Sequence, residues 1–448
     1  MCRILVLGVL VGLLVGAARA DDWPQWLGPK RDGVWRETGI LDTFPEKGPP
    51  VKWRTPIGAG YAGPAVAGGK VYITDRVLVD GTEVPKSGFT KSVLEGKERV
   101  LCLEEATGKV LWKHEYPVTY EISYPSGPRC TPVVHDGKVY ALGAMGHLFC
   151  LEADTGKVLW SKKFIIDYDA PTPVWGFAGH PLIDGKKLIC LAGGEDAVAI
   201  AFDKDTGKEI WKALSAKEPG YCPPMIFDIN GKRQLVIWHP EAVSGLDPET
   251  GKVIWTHPWR LQSGLSVPTP RLDGTKLFLT SFYNGATMLD LKDDKPTVLW
   301  QSKFAKGGKG EQANVTDTLH AIIPTPWIKD GHIYGICSYG ELRCLEEATG
   351  KRVWESLQAT GSTKSGKDRW NNAFLIPHED RFFLWNERGD LIIAKLSPKG
   401  YEEVSRTHLL DPDNGMAGRP VIWVHPAFAN KCIYVRNDKE IIGVSLAK

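Results

Sequence analysis

One short motif, an apolar strand followed by an acidic Thr-Gly turn and a tryptophan, recurs along the chain. Its copies lie at 102–112 (CLEEATGKVLW), 150–160 (CLEADTGKVLW), 201–211, 245–255, 288–300, 344–354 (CLEEATGKRVW) and 394–406, the last without its tryptophan. A partial copy ends at Trp53, and from there the tryptophans follow at intervals of 44 to 59 residues. This period is typical of propeller blades built from four strands.

Each copy of the motif predicts a strand, a tight turn and a second strand, because glycine supplies the positive φ that such turns need. A further hairpin precedes each copy; between Thr131 and Trp160, for example, Asp136-Gly137 and Met145-Gly146 mark two more turns. Each unit therefore has four strands, and apolar residues on both faces of these strands require neighbouring units on either side.

The two ends of the repeat region are incomplete in complementary ways. Residues 51–55 (VKWRT) supply a last strand without its three predecessors, and residues 418–448 supply three strands without a last one. Together they complete an eighth blade and remove the exposed sheet edges. The sequence predicts an all-β protein, an eight-bladed β-propeller of four-stranded antiparallel blades whose ring is closed by the N-terminal strand.

The carboxylates that recur in the motif, such as Glu104 and Glu105, are interpreted as turn residues rather than catalytic groups, since a reaction does not need the same acid in every blade. Each recurring tryptophan is interpreted as a stacking element between blades, where it buries about 150–250 Å².

These copies resemble the tryptophan-docking repeats of the quinoprotein-like, pyrroloquinoline quinone (PQQ) repeat propellers, over the whole chain after about Asp22. The segment DDWPQWLGPKRDG at 21–33 resembles the start of exported bacterial propellers of this type, such as those of planctomycetes. The resemblance implies either of two functions, because the family includes PQQ-dependent dehydrogenases and the non-enzymatic barrel-assembly scaffold BamB. The fold alone does not choose between them.

The first twenty residues read as a secretory signal, with Arg3, an apolar run from Ile4 to Ala18 and an Ala18-Arg19-Ala20 cleavage site. The alternative is an uncleaved anchor, but 15 residues of helix span only about 22 Å of a roughly 30 Å hydrocarbon core. The expected division is a signal at 1–20, an extension at 21–50 and the propeller at 51–448. We expect a periplasmic or secreted, monomeric protein without a lipid anchor, since the residue after the cleavage site is Asp21 and not a cysteine.

Charge excludes one class of partner. The chain has 55 Lys and Arg against 53 Asp and Glu, and removal of Arg3 and Arg19 leaves 53 of each. A zero balance gives no basis for nucleic acid as a partner. The expected partner is an unidentified protein or a small anionic or planar ligand.

Eight cysteines follow the signal, at positions 102, 130, 150, 190, 222, 337, 344 and 432. Three of them share one place in the repeat, at the start of an apolar strand, which favours buried free thiols. The alternative is a disulfide across a hairpin, for which Cys337 and Cys344 are the best-placed pair.

A ligand site is expected at the propeller mouth, where the blades differ. The innermost strand of most blades begins after a proline, and the residue before each proline faces the channel; His180 and Arg419 are the exceptional residues of this ring. Together with the loops that enter these strands, the candidate cofactor-binding residues are Tyr61, Arg129, Trp175, His180, Tyr221, His320, Asn371, Asn372 and Arg419. Guanidinium groups suit carboxylates and aromatic rings suit stacking, so these residues predict an anionic or planar ligand. The alternative is an ordinary polar, wet mouth.

An insertion at 77–98 has no counterpart in the other blades. Two interpretations stay open: a lid or partner-binding element, or a surface insertion without function.

Enzyme activity receives little support from the sequence. The resemblance would imply, for a PQQ dehydrogenase, a vicinal Cys-Cys disulfide and a metal held by Glu and Asn, with an Asp base; the chain has no adjacent cysteines and no recognisable metal or catalytic set. It also lacks the C-x-x-C-H haem motif and the phosphate-loop, zincin and hydrolase motifs. The sequence therefore predicts an exported, non-enzymatic binding or scaffold module. The alternative is a PQQ- or quinone-dependent oxidoreductase with its site at the mouth.

Overall fold

The computed structural model describes residues 21–293, 295–303, 316–363 and 368–448, so the expected signal at 1–20 lies outside the described residues. The described chain folds into eight antiparallel sheets of four strands each, which confirms the predicted eight-bladed propeller. Among these residues, no helix combines the length and the apolar character that crossing a bilayer requires.

The first four complete blades follow β1 (Val51–Pro56) in chain order. Blade 1 contains β2 (Ala65–Ala67), β3 (Lys70–Leu78), β4 (Leu94–Glu104) and β5 (Val110–Tyr120); blade 2 contains β6 (Val133–His135), β7 (Lys138–Leu142), β8 (His147–Glu152) and β9 (Val158–Lys163), followed by the single-turn helix α1 (Phe164–Asp167). Blade 3 contains β10 (Leu182–Asp184), β11 (Lys187–Leu191), β12 (Ala199–Asp203) and β13 (Glu209–Ala213); blade 4 contains β14 (Met225–Ile229), β15 (Lys232–His239), β16 (Ala242–Leu246) and β17 (Val253–Pro258).

The remaining blades complete the ring. Blade 5 contains β18 (Arg271–Asp273), β19 (Lys276–Ser281), β20 (Gly285–Asp290) and β21 (Thr297–Gln301); blade 6 contains β22 (Trp327–Lys329), β23 (His332–Ile336), β24 (Leu342–Glu346) and β25 (Arg352–Ser356). Blade 7 contains β26 (Ala373–His378), β27 (Arg381–Asn386), β28 (Asp390–Ser397) and β29 (Gly400–His408); blade 8 contains β30 (Ala427–Ala429), β31 (Cys432–Arg436) and β32 (Glu440–Ser445).

Ring closure occurs where the sequence predicts it. The sheet of blade 8 has the order β1-β32-β31-β30, with Trp53 opposite Gly443 and Thr55 opposite Ile441. The N-terminal strand is therefore the outer strand of the last blade, and no sheet edge is left open between the two ends of the chain.

The first strand of blade 8 does not begin after Arg419-Pro420, and that prediction is wrong. The strand β30 begins at Ala427, after His425-Pro426, and pairs with β31 through Ala427 and Tyr434. Arg419 lies in the loop that leads to this strand. An arginine or histidine before a proline gives the same local signal, and the pairing with β31 decides which proline starts the strand.

Six of the docked tryptophans join their blade to the next, as the repeat predicts, whereas the indole N–H of Trp255 donates to Gln234 of its own blade at 2.7 Å. The indole N–H of Trp112 donates to the carbonyl of Ala153, and that of Trp160 donates to the carbonyl of Lys204. The same bond links Trp53 to Glu105, Trp211 to Pro248, Trp300 to Glu347 and Trp354 to Ser397. The indole ring of Trp112 also covers Gly156, the turn glycine of the next blade, since a Cβ atom on Gly156 would lie 2.5 Å from Cε3 of Trp112.

The recurring carboxylates stabilise the turns. The Thr107 hydroxyl donates to Glu104, and the Thr349 hydroxyl donates to Glu346 at 2.8 Å. The carboxylate of Asp203 accepts the backbone N–H of Thr206 at 2.8 Å. The predicted turn role is confirmed for these acids.

All eight cysteines of the described chain are free and buried, which confirms the interpretation as buried free thiols and rules out the alternative Cys337–Cys344 disulfide. The register explains why: Cys344 lies opposite Tyr334, whereas Cys337 follows β23 and bonds through its backbone N–H to Glu341. Burial raises the pKa of the Cys337 thiol to about 12 and that of Cys344 to about 11. In the absence of a bound metal ion, both thiols are therefore protonated at neutral pH.

Candidate functional site

Trp26 of the N-terminal extension lies across the central channel. Its indole stacks on the imidazole of His180, with ring centroids 4.0 Å apart, and contacts His425 at 4.6 Å. Its N–H donates to the hydroxyl of Thr269 at 3.1 Å. These partners precede the inner strands of blades 3, 8 and 5, so one side chain of the extension contacts three separate parts of the ring.

Two arginines at the extension are buried: Arg31 belongs to the extension, and Arg271 begins β18. Arg31 donates to the carbonyls of Pro181 at 2.9 Å and Pro224 at 3.2 Å, and Arg271 donates to the carbonyl of Pro326 at 2.7 Å. Both side chains are buried, and burial lowers the pKa of each to about 10, so both keep their positive charge at neutral pH. The hydrogen bonds of both guanidinium groups go to neutral oxygens, and Asp32 also acts electrostatically on Arg271.

A cavity of about 280 Å³ has Trp26 as one of its walls. Loops from most of the ring contribute to the other walls, and nearly all contribute an aromatic side chain. The aromatic residues in the lining are Tyr61, Phe89, Tyr124, Trp175, Tyr221, Phe282, Tyr283, Trp370, Phe374 and Trp423. The cavity therefore offers ring faces and edges in several orientations, of the kind that hold flat molecules.

A few polar groups interrupt the aromatic lining. The guanidinium of Arg129 donates to the carbonyls of Ser123 at 3.1 Å and Tyr124 at 2.6 Å, and its carbon lies 5.2 Å from the centre of the Tyr61 ring. Burial, together with the carboxylate of Glu218 beside the hydroxyl, raises the pKa of Tyr221. Arg129 and Tyr221 can thus donate to an acceptor on a bound molecule.

The two histidines beside Trp26 are neutral at physiological pH. Burial, reinforced by the nearby Arg31, lowers the pKa of His180 well below its usual value, and burial lowers the pKa of His425 to about 4. The Nδ1 atom of His180 accepts the backbone N–H of Thr131 at 2.9 Å, which requires that this nitrogen be unprotonated. Both rings therefore serve as stacking surfaces rather than charges.

The insertion of blade 1 reaches the cavity. Its ends extend β3 and β4, which pair as far as Leu78 and Gly96, and its tip carries Phe89. The Phe89 ring lies 5.4 Å from those of Tyr124 and Trp370 and is 55% exposed. The insertion thus lies over one side of the mouth, as the lid interpretation requires.

A glycine fixes the tip of the insertion against the mouth. The carbonyl of Gly88 accepts the backbone N–H of Tyr124 at 2.6 Å, and its own N–H donates to the carbonyl of Met416 at 3.1 Å. A Cβ atom on Gly88 would lie 2.5 Å from the Tyr124 ring. Only a residue without a side chain allows this approach.

Five of the nine residues predicted to bind a ligand line this cavity: Tyr61, Arg129, Trp175, His180 and Tyr221. The other four lie outside its lining. Arg419 pairs with the carboxylate of Glu387 at 2.6 Å, and the Asn372 amide donates to the Trp370 carbonyl at 3.2 Å. Asn371 and His320 are buried in the blades. Ligand binding by the five lining residues stays a prediction.

Sequence reasoning missed several lining residues, above all Trp26, Phe89 and His425. Trp26 lies in the extension and Phe89 in the insertion. Neither segment has a repeat position that would indicate where its side chains point. For His425 a signal existed, because His425-Pro426 repeats the His180-Pro181 pair that starts β10.

A family model matches part of the chain, and a crystal structure of BamB is consistent with the propeller fold. The sequence model of a family described as "Outer membrane protein assembly factor BamB" matches residues 96–356. No curated protein matches the sequence. The crystal structure of BamB from Moraxella catarrhalis is similar with a TM-score of 0.53 and 14% identity, over 88% of this chain and 97% of that one. The quinohemoprotein alcohol dehydrogenase of Comamonas testosteroni gives a TM-score of 0.46 and 16% identity, over 97% of this chain and 82% of that one.

Proposed function

Since the chain belongs to the family of outer membrane protein assembly factor BamB, we propose that it is an exported, non-enzymatic propeller whose mouth cavity binds a small planar ligand. The observation that carries this proposal is the lining of the cavity, in which aromatic side chains from most of the ring enclose about 280 Å³. That volume is near the lower end of the range for small-molecule sites.

The lining also favours a chemical class. Flat faces and edges of the aromatic walls suit a ring system. The positive charge of Arg129 and the hydroxyl of Tyr221 suit a carbonyl or carboxylate on that ring. We therefore take a planar, conjugated molecule that carries an acidic group as the ligand class, and PQQ is a suitable probe of it.

The propeller exterior gives less support to a large protein interface. The exposed apolar residues of the outer strands, such as Val110, Val158, Val253 and Val353, are distributed one after another around the ring. Scattered residues of this kind are ordinary on a soluble protein, whereas interfaces need a contiguous patch. The cavity is therefore the more specific candidate.

Export is part of the proposal and rests on the sequence of residues 1–20. We expect the mature chain to begin at Asp21. N-terminal sequencing of the protein recovered outside the cytoplasm tests this, and a protein that still begins at Met1 would contradict it.

Isothermal calorimetry of the mature protein with PQQ, without added metal, tests the ligand proposal. We expect one saturable site. Trp175→Ala, which removes one wall, should weaken binding by roughly 5- to 30-fold, since losing one aromatic contact costs on the order of 1–2 kcal/mol. Trp327→Ala is the matched control, because Trp327 is also a half-buried tryptophan but lies outside the lining.

Three outcomes separate the possible functions. Binding that Trp175→Ala weakens and Trp327→Ala does not supports the proposal. Binding together with reduction of an added electron acceptor when alcohols are supplied would instead favour the quinone-dependent oxidoreductase. A folded protein that binds neither PQQ nor an uncharged naphthoquinone would contradict the ligand proposal and leave the scaffold function.

A further inference from the structure

Blade 6 contains a cluster of three side chains that offer metal-ligating atoms. His320 lies in the loop before β22, Cys337 directly follows β23 and Glu341 directly precedes β24. One ligand atom from each, an imidazole nitrogen, the Sγ atom and a carboxylate oxygen, all lie within 4.8 Å of one another. We refer to these three residues as the blade 6 triad.

The local backbone holds two members of the blade 6 triad in place. The N–H of Cys337 donates to the carbonyl of Glu341 at 2.7 Å and closes the hairpin between β23 and β24. Gly340 has φ +91°, which allows the chain to turn within this short loop. The positions of both side chains therefore follow from the strand pairing of blade 6.

Three polar atoms of the blade 6 triad are buried without a hydrogen-bond partner among the described residues, whereas the Cys337 thiol donates to the carbonyl of Thr318 at 3.9 Å. The side chain of His320 is fully buried, and neither of its ring nitrogens has a hydrogen-bond partner among the described residues. One carboxylate oxygen of Glu341 is buried without a partner in the same described part of the chain. Leaving such buried groups unpaired is destabilising, so native proteins supply a partner or an ion.

We propose that the blade 6 triad binds a zinc ion. A thiolate, an imidazole and a carboxylate are a donor set that suits Zn²⁺, whereas Ca²⁺ and Mg²⁺ prefer oxygen ligands only. Zinc–ligand bonds of about 2.0–2.3 Å place tetrahedral ligands roughly 3.5 Å apart. The triad reaches that geometry through side-chain movements of about 1 Å, and its three donors leave one coordination position for a small ligand such as water.

The surrounding charges are consistent with a divalent ion. Zn²⁺ balances one thiolate and one carboxylate, so the occupied triad is neutral overall. The neighbouring cation, Arg343, is paired with Glu355 at 3.3 Å and donates to the carbonyl of Thr316 at 2.6 Å. The guanidinium charge is thus compensated by a carboxylate outside the triad.

The zinc site lies beside the mouth cavity but does not depend on a ligand there. The His320 ring contacts that of Phe282, which lines the cavity, with centroids 6.4 Å apart. A bound ion would fix this part of the cavity wall. The zinc proposal stands on blade 6 alone, and its test needs no organic ligand.

Cobalt substitution tests the proposal, because Co²⁺ reports thiolate ligation through a charge-transfer absorption band. The mature protein is stripped with a chelator, dialysed and titrated with Co²⁺ and then Zn²⁺. We expect one equivalent of Co²⁺, a thiolate-to-cobalt band and displacement of that band by Zn²⁺. Cys337→Ser should abolish the band, and Glu341→Gln should weaken Co²⁺ affinity by roughly tenfold or more.

Cys344→Ser is the matched control, because Cys344 is a buried cysteine of the same hairpin outside the triad. It should leave the band and the stoichiometry unchanged. Circular dichroism verifies that each variant is folded, and His320→Gln replaces Cys337→Ser if the latter is not. A folded wild-type protein that binds no Co²⁺, or a band that Cys344→Ser removes and Cys337→Ser does not, would overturn the proposal.

Discussion

The contact between a docked tryptophan and the turn glycine of the next blade can be measured with one substitution. In Gly156→Ala the new Cβ atom would lie 2.5 Å from Cε3 of Trp112, far closer than carbon atoms approach without strain. Gly156 also has φ +73°, where any residue with a side chain is disfavoured. The substitution therefore adds a steric clash to a backbone penalty.

Gly137→Ala isolates the backbone penalty. Gly137 has φ +71°, and nothing lies within 4 Å of its would-be Cβ atom. We expect Gly137→Ala to lower the free energy of unfolding by about 1–2 kcal/mol, the cost of the left-handed conformation. Gly156→Ala should cost about 1–3 kcal/mol more, which is the usual penalty for an overpacked contact.

Urea unfolding, followed by tryptophan fluorescence and circular dichroism, measures the difference between the two variants. A double variant strengthens the comparison: in a Trp112→Leu background the ring is absent, so the extra cost of Gly156→Ala should disappear. Equal destabilisation by Gly137→Ala and Gly156→Ala in the wild-type background would refute the view that the glycine and the tryptophan form a rigid joint.

Three further predictions concern the whole chain and its mouth. Burial holds His180 and His425 neutral, so below about pH 6.5 the unfolded chain binds protons that the native state does not. The thermal midpoint should fall as the pH is lowered to about 5, where each of these histidines costs about 2 kcal/mol of stability. The midpoint of His425→Gln should fall less over this range than that of the wild type, and an equal fall in both proteins would argue against the prediction. All eight thiols should resist a thiol reagent in the native protein and react in guanidinium, and rapid reaction without denaturant would contradict their burial. Gly88→Val should displace the insertion from Tyr124 and weaken PQQ binding several-fold by calorimetry without lowering the thermal midpoint by more than a few degrees, whereas unchanged affinity would exclude a lid.

The repeat made most of the fold predictable. Each copy of the motif predicts two strands, the turn between them and a docked tryptophan. The strand around Trp53 completes the last blade by pairing with β32. The start of β30 was predicted wrongly because the sequence signal for it, a residue followed by proline, is local. Arg419-Pro420 and His425-Pro426 are alike in sequence, and only pairing with β31 shows which of them starts β30.

The mouth was less predictable than the blades, for a physical reason. Five predicted residues line the cavity because they lie in loops that the repeat positions fix. Trp26 is 154 residues away from His180, on which it stacks. Contacts of this kind depend on closure of the ring, and no local pattern contains them.

A crystal structure of the protein grown with PQQ tests the central claim most directly. The ring system of PQQ should lie in the cavity of about 280 Å³, against Trp175 and Tyr61, with one of its carboxylates near Arg129. Density for PQQ on the outer strands alone, or a cavity that contains only water while calorimetry records binding, would contradict the account.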